Sequence, residues 1–503
     1  MLKRNIIANN LGQGWRIATL FIAVPFYIDY LGIEAYSLIA VFAIMQTWLS
    51  LLDLGLKAVL GREMARFTAG THSDKSILNL LRSIEVVTLI ISIIILISVW
   101  MSSSWLASNW LNELELNENT IETSFALMGV VISFRFIEGI YTGSLAGLQK
   151  QVLQNGVLVV ISTFQNIGVI GVLIWVSPEI EVFFIWQALL SFIAIVIFRI
   201  LVYKAIPVKK QTIRFSWEAL SGIWRFAAGI TGITILGIAV TQFDKLLASQ
   251  ILTAEIFAYY ALAGLVASGL DLFTGPIAAA VYPHFVKLHA LKKEAELQNI
   301  FHKSAQLISV FTGSLASVLI VFSERFIMVW TGDSELSFQV APIMTILLVG
   351  SLAHCMLWIP YQVQLAHGWV SLNIKLNAIG LILFVPFLLY LGQLYGVSGI
   401  AWTWVALNIL YLVIGGHFMH RKILTDEKFN WYLYDLLIPI SSSFFAALLC
   451  FIFMPTDLNR IADIFVLVGS LVIVLFFSIT TSPLIRKLIW DNILLFYSLK
   501  GKK

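Results

Sequence analysis

Residues 86–100 read VVTLIISIIILISVW, and residues 157–176 read VLVVISTFQNIGVIGVLIWV. Both are apolar runs close to the length that decides a membrane fold, because a helix needs about 20 apolar residues to cross a bilayer. Hydrocarbon offers no hydrogen-bond partner, so each crossing segment must satisfy its own backbone, as an α-helix does. The alternating pattern of a membrane β-barrel strand is absent. The sequence therefore predicts an all-α, polytopic membrane protein.

Composition places the whole chain in the same class. Of its 503 residues, 59% are hydrophobic and 12% are charged, whereas roughly 25% of the residues of a soluble domain are charged. The net charge of +4 does not indicate nucleic-acid binding, because the basic residues lie in predicted loops rather than on one soluble face. Cys355 and Cys450 fall inside apolar segments, so neither a disulfide framework nor a metal site is expected.

Hydropathy predicts about fourteen transmembrane helices. They lie near residues 10–30, 36–56, 80–101, 124–147, 153–176, 182–203, 225–248, 256–279, 304–323, 340–361, 374–395, 397–418, 434–454 and 463–485. Lys3 and Arg4 precede the first of these segments, and no small-residue cleavage site follows it cleanly. We therefore interpret it as the first span rather than as a removable signal.

The positions of lysine and arginine predict the orientation. With the N-terminus in the cytoplasm, 27 of the 32 basic residues lie in cytoplasmic loops or at the cytoplasmic ends of spans, and only Arg325 and Arg460 lie on the other side. Such an excess marks the cytoplasmic loops of membrane proteins. We therefore expect both termini in the cytoplasm and an even number of spans. The remaining three, Arg16, Arg135 and Lys245, fall inside predicted spans.

The two halves of the chain are similar to each other. A basic amphipathic segment follows both the second and the eighth span, and "SLLDLGL" around Asp53 parallels "SGLDLFTG" around Asp271. Six spans return the chain to the same side, so an axis along the membrane normal relates the halves. We predict two six-helix lobes with a cavity between them, followed by two C-terminal helices. These parts span residues 1–210, 211–425 and 426–503.

Three phrases carry a family resemblance. The N-terminal "NNLGQGWRIATLFIAVPFYIDYLGIEAYSL" (9–38) and "LLDLGLKAVLGREMARF" (51–67) resemble the opening of Wzx-type polysaccharide flippases. These flippases are members of the multidrug/oligosaccharidyl-lipid/polysaccharide exporter (MOP) superfamily. "TQFDKLLASQILTAEIFAYYALA" (241–263) is similar to the start of their second lobe.

This resemblance implies a function. It implies alternating access that carries an undecaprenyl-pyrophosphate-linked oligosaccharide across the bacterial cytoplasmic (inner) membrane, for O-antigen, capsule or exopolysaccharide biosynthesis. Membrane lipids surround such a protein, and a polysaccharide polymerase and a chain-length regulator are its expected partners. No cofactor, metal or nucleic acid is expected.

A diphosphate substrate requires cations within the spans, because an unpaired polar group in hydrocarbon costs several kcal/mol. Arg135, near the middle of the fourth span, offers a planar donor fork; a local ion pair with Glu138 is the alternative. Arg16 and Lys245 are the other candidates for diphosphate binding. Snorkelling of Arg16 to the interface and an interfacial pair of Lys245 with Asp244 remain open.

Acidic and histidine residues within spans are candidates for H⁺ or Na⁺ coupling. These candidates are Glu138, Asp244, Asp53, Asp271 and His354. Asp53 and Asp271 lie near cytoplasmic ends, where capping or anchoring a basic loop is the alternative. Glu138 lies deeper in its span. His354 titrates near neutral pH when unperturbed, and a packing role is its alternative.

Other functions remain open at this point. A peptidoglycan-precursor flippase and a multidrug exporter belong to the same superfamily. A membrane polysaccharide polymerase or glycosyltransferase would instead need acid–base residues in large outer loops. The longest outer loop has four glutamates but no histidine, lysine or arginine, and the chain has no phosphate loop, metal-ligand spacing or nucleophile motif. We therefore expect a transporter rather than an enzyme.

Overall fold

A computed structural model describes residues 2–113, 115–206, 214–455, 458–488 and 490–491. Within these ranges every regular element is a helix, apart from one isolated bridge between Asn112 and Thr253. The predicted all-α membrane fold is confirmed. The apolar runs fold as helices because each one must bond its backbone internally.

Helices α1 to α10 are Leu2–Leu31, Ile33–Leu49, Leu56–Thr68, Asp74–Asn109, Glu118–Gly147, Gln151–Thr163, Val169–Trp175, Ile180–Ala205, Trp217–Ser221 and Trp224–Ile251. Helices α11 to α21 are Ala254–Ser268, Asp271–Ala290, Glu294–Val321, Ser323–Thr331, Ser334–Met356, Trp358–Ala366, Ser371–Leu410, Gly416–Lys422, Lys428–Asn430, Ile438–Ile452 and Arg460–Thr481. A 3-10 turn at Ser50–Asp53 follows α2. Three π segments, Phe164–Gly168, Tyr411–Gly415 and Trp431–Leu437, connect α6 to α7, α17 to α18 and α19 to α20.

Eleven segments of the described chain are long and apolar enough to cross a membrane. A helix underlies each of the predicted spans, and α17 covers two of them. Gly396 separates these two, because its φ of 59° and ψ of −138° are not helical. The total of fourteen crossings stays a prediction.

Contacts divide the chain into two compact units, Met1–Ala258 and Tyr259–Lys503. The predicted lobe boundary at residues 210 and 211 lies outside the described residues, and the boundary at 425 and 426 stays a prediction. The predicted cavity between the lobes also stays a prediction.

In the first unit, α5 lies at the centre and packs against α3, α4 and α8. Helices α3 and α5 approach closely at two glycines: a Cβ atom on Gly147 would lie 2.1 Å from the carbonyl oxygen of Gly61. Glu85 on α4 is buried and accepts hydrogen bonds from Tyr141 on α5 (2.8 Å) and Tyr203 on α8 (3.0 Å). These contacts fix the helix that carries Arg135.

In the second unit, α13 packs against α12, α15, α20 and α21. The amide of Gln306 on α13 donates to Asp435 (2.9 Å) and accepts from the backbone nitrogen of Leu484 (3.2 Å). His302, one turn before Gln306, contacts the same carboxylate of Asp435. Polar bonds therefore tie α13 to the π segment that precedes α20 and to the residues that follow α21.

The two arginines on the predicted outer side have structural contacts. Arg325 forms an ion pair with Asp463 at 3.0 Å, and Nε of Arg460 donates to the carbonyl of Val329 at 2.9 Å. Both contacts join α14 to α21. These bonds give the two arginines of the predicted outer side partners within the second unit.

Candidate anion-binding site

Arg135 lies on α5 with its guanidinium oriented by two amide oxygens. Nη1 donates to Oε1 of Gln46 on α2 at 2.7 Å, and Nη2 donates to Oε1 of Gln187 on α8 at 2.9 Å. The guanidinium carbon is 5.1 Å from the ring centre of Phe42, one turn before Gln46. Three helices thus fix the direction of this cation.

Gln187 is itself fixed by the irregular turn between α6 and α7. In the π segment Phe164–Gly168, three successive carbonyls accept bonds from side chains outside that helix. Trp186 donates to Phe164 O (2.8 Å), Gln187 donates to Gln165 O (2.9 Å) and Tyr27 donates to Asn166 O (2.9 Å). Since its amide nitrogen is occupied there, Gln187 presents its oxygen to Arg135.

The positive charge of Arg135 is not neutralised by a direct ion pair. Two of its five N–H groups are occupied, and the others have no acceptor among the described residues. The alternative of an ion pair with Glu138 is not formed, because no described carboxylate lies within 4.0 Å of the guanidinium. Amide oxygens orient the cation without cancelling its charge, so donors remain for an anion.

Glu138 lies one turn from Arg135 and interacts electrostatically with three cations. These are Arg135, Lys57 on α3 and Arg16 on α1. Two of the three predicted diphosphate-binding residues, Arg135 and Arg16, thus interact electrostatically with one predicted coupling residue. Arg16 is half-buried, and its Nε lies 3.4 Å from the carbonyl of Gly12, so the snorkelling alternative for its guanidinium remains open.

Lys57, in the basic amphipathic segment that follows the second predicted span, lines a cavity. The cavity has a volume of about 380 Å³ and lies within the first unit. Asp53, together with Thr231 and Thr234 on α10, lines it as well. Lys57 therefore lines this cavity and also interacts electrostatically with Glu138.

Lys245 and Asp244 lie on α10. Nζ of Lys245 is 3.5 Å from Oε1 of Gln242, and Asp244 is buried. No contact in the described ranges joins Lys245 to Arg135 or Glu138. Its role in diphosphate binding and that of Asp244 in coupling stay predictions.

Asp53 and Asp271 have different surroundings, although their sequence contexts are similar. The carboxylate of Asp53 accepts from the backbone nitrogen of Lys57 at 3.1 Å, as in the capping alternative, because it satisfies a first-turn donor of α3. Asp271 accepts from Nε1 of Trp358 on α16 at 3.2 Å and from Thr274 at 3.3 Å. Asp271 thus joins α12 to α16 within the second unit.

His354 lies on α15 among aromatic rings. Its Nδ1 is 3.2 Å from Oδ1 of Asn408, and the rings of Trp358 and Trp404 lie 6.3 and 6.0 Å from its own, centre to centre. These contacts match the packing alternative. Coupling through His354 stays a prediction.

The two glutamines that hold Arg135 are not predicted by the sequence pattern. Gln46 stands alone in "FAIMQTWL" and Gln187 in "FFIWQALL". A solitary amide in an apolar run must find a partner, because an unsatisfied polar group in hydrocarbon is costly. That signal indicates that a partner exists, but it does not identify it.

The residues that orient Arg135 lie within a known family match. The family described as polysaccharide biosynthesis protein matches residues 31–337, which include Gln46, Arg135 and Gln187.

The chain belongs to the polysaccharide biosynthesis protein family.

Relatives of this polysaccharide biosynthesis protein include a candidate O-antigen transporter of Shigella flexneri, 22% identical over 410 residues that cover 80% of this chain and 94% of the relative. The lipid II flippase MurJ in an inward closed conformation superimposes with a TM-score of 0.69 at 16% identity, covering 96% of this chain and 99% of MurJ. An inward-facing multidrug resistance transporter of the MATE family and MOP superfamily superimposes with a TM-score of 0.65 at 16% identity. The match covers 81% of this chain and 94% of the transporter. The family match and the relative confirm the predicted resemblance to polysaccharide flippases, and the solved structures share the polytopic fold.

Proposed function

We propose that this polysaccharide biosynthesis protein is a flippase for an undecaprenyl-pyrophosphate-linked oligosaccharide. The substrate would move from the inner to the outer leaflet of the bacterial cytoplasmic membrane by alternating access. Both termini would lie in the cytoplasm, as the distribution of basic residues predicts. The family match and the candidate O-antigen transporter among its relatives support this proposal.

One observation supports a diphosphate-linked substrate. Arg135 lies in a helix long and apolar enough to span the membrane, and neutral amide oxygens orient its guanidinium, whose remaining N–H groups have no acceptor among the described residues. A cation at such a depth is costly unless it meets water or a counter-charge. A diphosphate supplies the counter-charge and accepts the planar, two-pronged hydrogen bonding of a guanidinium. Glu138 would compete with the diphosphate for Arg135 and thereby assist its release.

The cavity beside Lys57 supports the same substrate class. Its lining includes the cation Lys57 and three hydroxyl-bearing residues, Ser50, Thr231 and Thr234, and hydroxyl groups both donate and accept hydrogen bonds, as sugars require. We place the initial contact of the headgroup at Lys57 and its deeper contact at Arg135. Arg16, which also interacts electrostatically with Glu138, would be a further contact.

Two related functions share the fold, so the fold alone does not separate them. A peptidoglycan-precursor flippase also carries a diphosphate-linked glycan, and the similarity to MurJ is compatible with it. A multidrug exporter is favoured less, because an un-neutralised arginine would repel cationic cargo. Polymerase and chain-length-regulator partners, and H⁺ or Na⁺ coupling through Glu138, belong to the proposal as well.

The decisive experiment uses the purified protein in vesicles that contain an undecaprenyl-pyrophosphate-linked oligosaccharide. A glycosidase added outside reports the arrival of glycan in the outer leaflet. We expect the protein to speed this arrival and Arg135→Ala to lose that effect. The peptidoglycan alternative would be supported instead if the protein moved lipid II equally well and restored growth to cells depleted of their own lipid II flippase. Extrusion of cationic dyes without glycan transfer would refute the flippase proposal.

A further inference from the structure

A groove lies at one end of the first unit, away from the residues around Glu138. Its volume is about 880 Å³, and α1, α6, α8 and the turn between α5 and α6 form its walls. Arg4 and Lys150, both exposed, line the groove. Neither of these cations forms an ion pair with another described residue.

The rest of the groove is aliphatic. Val152, Leu153, Val157, Val160 and Ile161 of α6 line it together with Ile197 of α8. Leu153 and Val160 are 43% and 53% exposed although they are apolar. From Val152 to Ile161 the helix rises about 14 Å, close to half of the roughly 30 Å hydrocarbon thickness of a bilayer. The apolar wall therefore has the length of a single leaflet.

We infer that this groove binds an anionic phospholipid of the cytoplasmic leaflet. Arg4 and Lys150 hold the phosphate headgroup, and the aliphatic wall holds an acyl chain. This inference rests on the orientation proposed above, which places Arg4 and Lys150 at the cytoplasmic surface. Basic pockets between membrane helices on this side bind anionic headgroups, because the cytoplasmic leaflet is rich in them.

The dimensions favour a phospholipid over the transport substrate. An undecaprenyl chain contains eleven isoprene units and is much longer than a wall that spans one leaflet. A transported lipid must also leave its site and reach the other leaflet, whereas this groove ends midway. Bound phospholipid would cover Leu153 and Val160 and bring a phosphate to the two cations, which otherwise have no described counter-charge.

Native mass spectrometry of the purified full-length protein tests the inference. The probes are phosphatidylglycerol and phosphatidylcholine with identical acyl chains. Arg4→Ala/Lys150→Ala removes both cations, and Lys75→Ala/Lys204→Ala removes two exposed cations of the same unit outside the groove. Gly156→Phe fills the groove, because a Cβ atom at Gly156 meets nothing within 4 Å. Gly469→Phe, at an equally open position on α21, is its control.

We expect the wild type to retain phosphatidylglycerol at least about tenfold better than phosphatidylcholine. The Arg4/Lys150 variant should lose that preference, Gly156→Phe should lose retention of both lipids, and both controls should behave as the wild type. Equal retention of the two lipids by the wild type, or unchanged retention by the Arg4/Lys150 variant, would overturn the inference. Displacement of phosphatidylglycerol by equimolar undecaprenyl diphosphate in a Gly156-dependent manner would also overturn it. The measurement records lipid retention rather than transport, so a negative result leaves the proposed function intact.

Discussion

The amide oxygen of Gln187 lies 2.9 Å from Nη2 of Arg135, and the amide nitrogen of the same glutamine bonds the carbonyl of Gln165. The orientation of a cation within the membrane therefore depends on an irregular turn in another helix. A neutral acceptor keeps the charge of Arg135 available, whereas a carboxylate at the same distance would cancel it. This relationship makes the role of the charge testable without changing the arginine.

Gln187→Glu tests that relationship directly. The new carboxylate would pair with Arg135 and remove the donor to Gln165 O, so we expect glycan transfer in vesicles to fall by about 10- to 100-fold. Gln250→Glu, an exposed position on α10, introduces the same charge elsewhere and should leave transfer unchanged. Full activity of Gln187→Glu would show that the free charge of Arg135 is dispensable.

Arg135→Ala should abolish surface polysaccharide while the protein remains in the membrane, since the variant lacks both the charge and the donor fork. Arg135→Lys keeps the charge but loses the planar geometry, so we expect it to retain part of the polysaccharide. The measurements are surface glycan staining and immunoblotting of membrane fractions. A normal glycan level in the alanine variant would remove Arg135 from the mechanism.

Glu138→Gln should raise the affinity for the headgroup and slow turnover. The substitution removes a negative charge that acts on Arg135, Lys57 and Arg16, so an anion meets less competition and leaves more slowly. Binding of undecaprenyl diphosphate and single-turnover transfer in vesicles measure the two effects. Glu115→Gln, on an exposed loop, serves as the control. Weaker binding by Glu138→Gln would contradict this role.

Proton coupling predicts that collapsing the pH gradient stops transfer in reconstituted vesicles. If Glu138 carries the proton, Glu138→Gln should transfer at a rate that no longer responds to the gradient. Collapsing the sodium gradient with a sodium ionophore, in a separate experiment, distinguishes Na⁺ coupling from H⁺ coupling. Wild-type rates that ignore both gradients would exclude ion-driven transport.

Cysteine accessibility tests the orientation. In a background with Cys355 and Cys450 replaced by alanine, Glu115→Cys should react with a membrane-impermeant maleimide added to intact cells. Ala290→Cys should react only after the cells are opened. Both positions are exposed, so burial does not mask the outcome. The reverse pattern would overturn the topology.

Gly147→Ala should destabilise the first unit. Its methyl group would meet the carbonyl oxygen of Gly61 at 2.1 Å, and neither backbone moves freely. Overpacking of this kind costs about 1–3 kcal/mol. Gly139→Ala, on the same helix with nothing within 4 Å of its Cβ, should be neutral or slightly stabilising. Thermal unfolding in detergent should show a lower midpoint for Gly147→Ala alone.

The helical membrane fold could be predicted from the sequence because it depends on the composition and length of each segment taken by itself. The position of Arg135 inside a helix followed for the same reason. Its partners did not, since Gln46 and Gln187 lie 89 and 52 residues away and their meeting depends on which helix faces pack together. The sequence spacing of Arg135 and Glu138 permitted an ion pair, but the two glutamines orient the guanidinium elsewhere. No local pattern predicts the π segment at Phe164–Gly168, because side chains from α1 and α8 satisfy its carbonyls.

That π segment has a mechanical consequence. A π turn holds one more residue than an α turn of comparable height, so rewinding it would rotate α7 against α6 and withdraw the carbonyl that anchors Gln187. The guanidinium would then lose its hydrogen bond to Gln187 on α8 and keep the one to Gln46. The winding of this helix would thereby be linked to the orientation of Arg135 through a single glutamine, Gln187. In the proposed mechanism, an anion that displaces Arg135 would act on the same π segment.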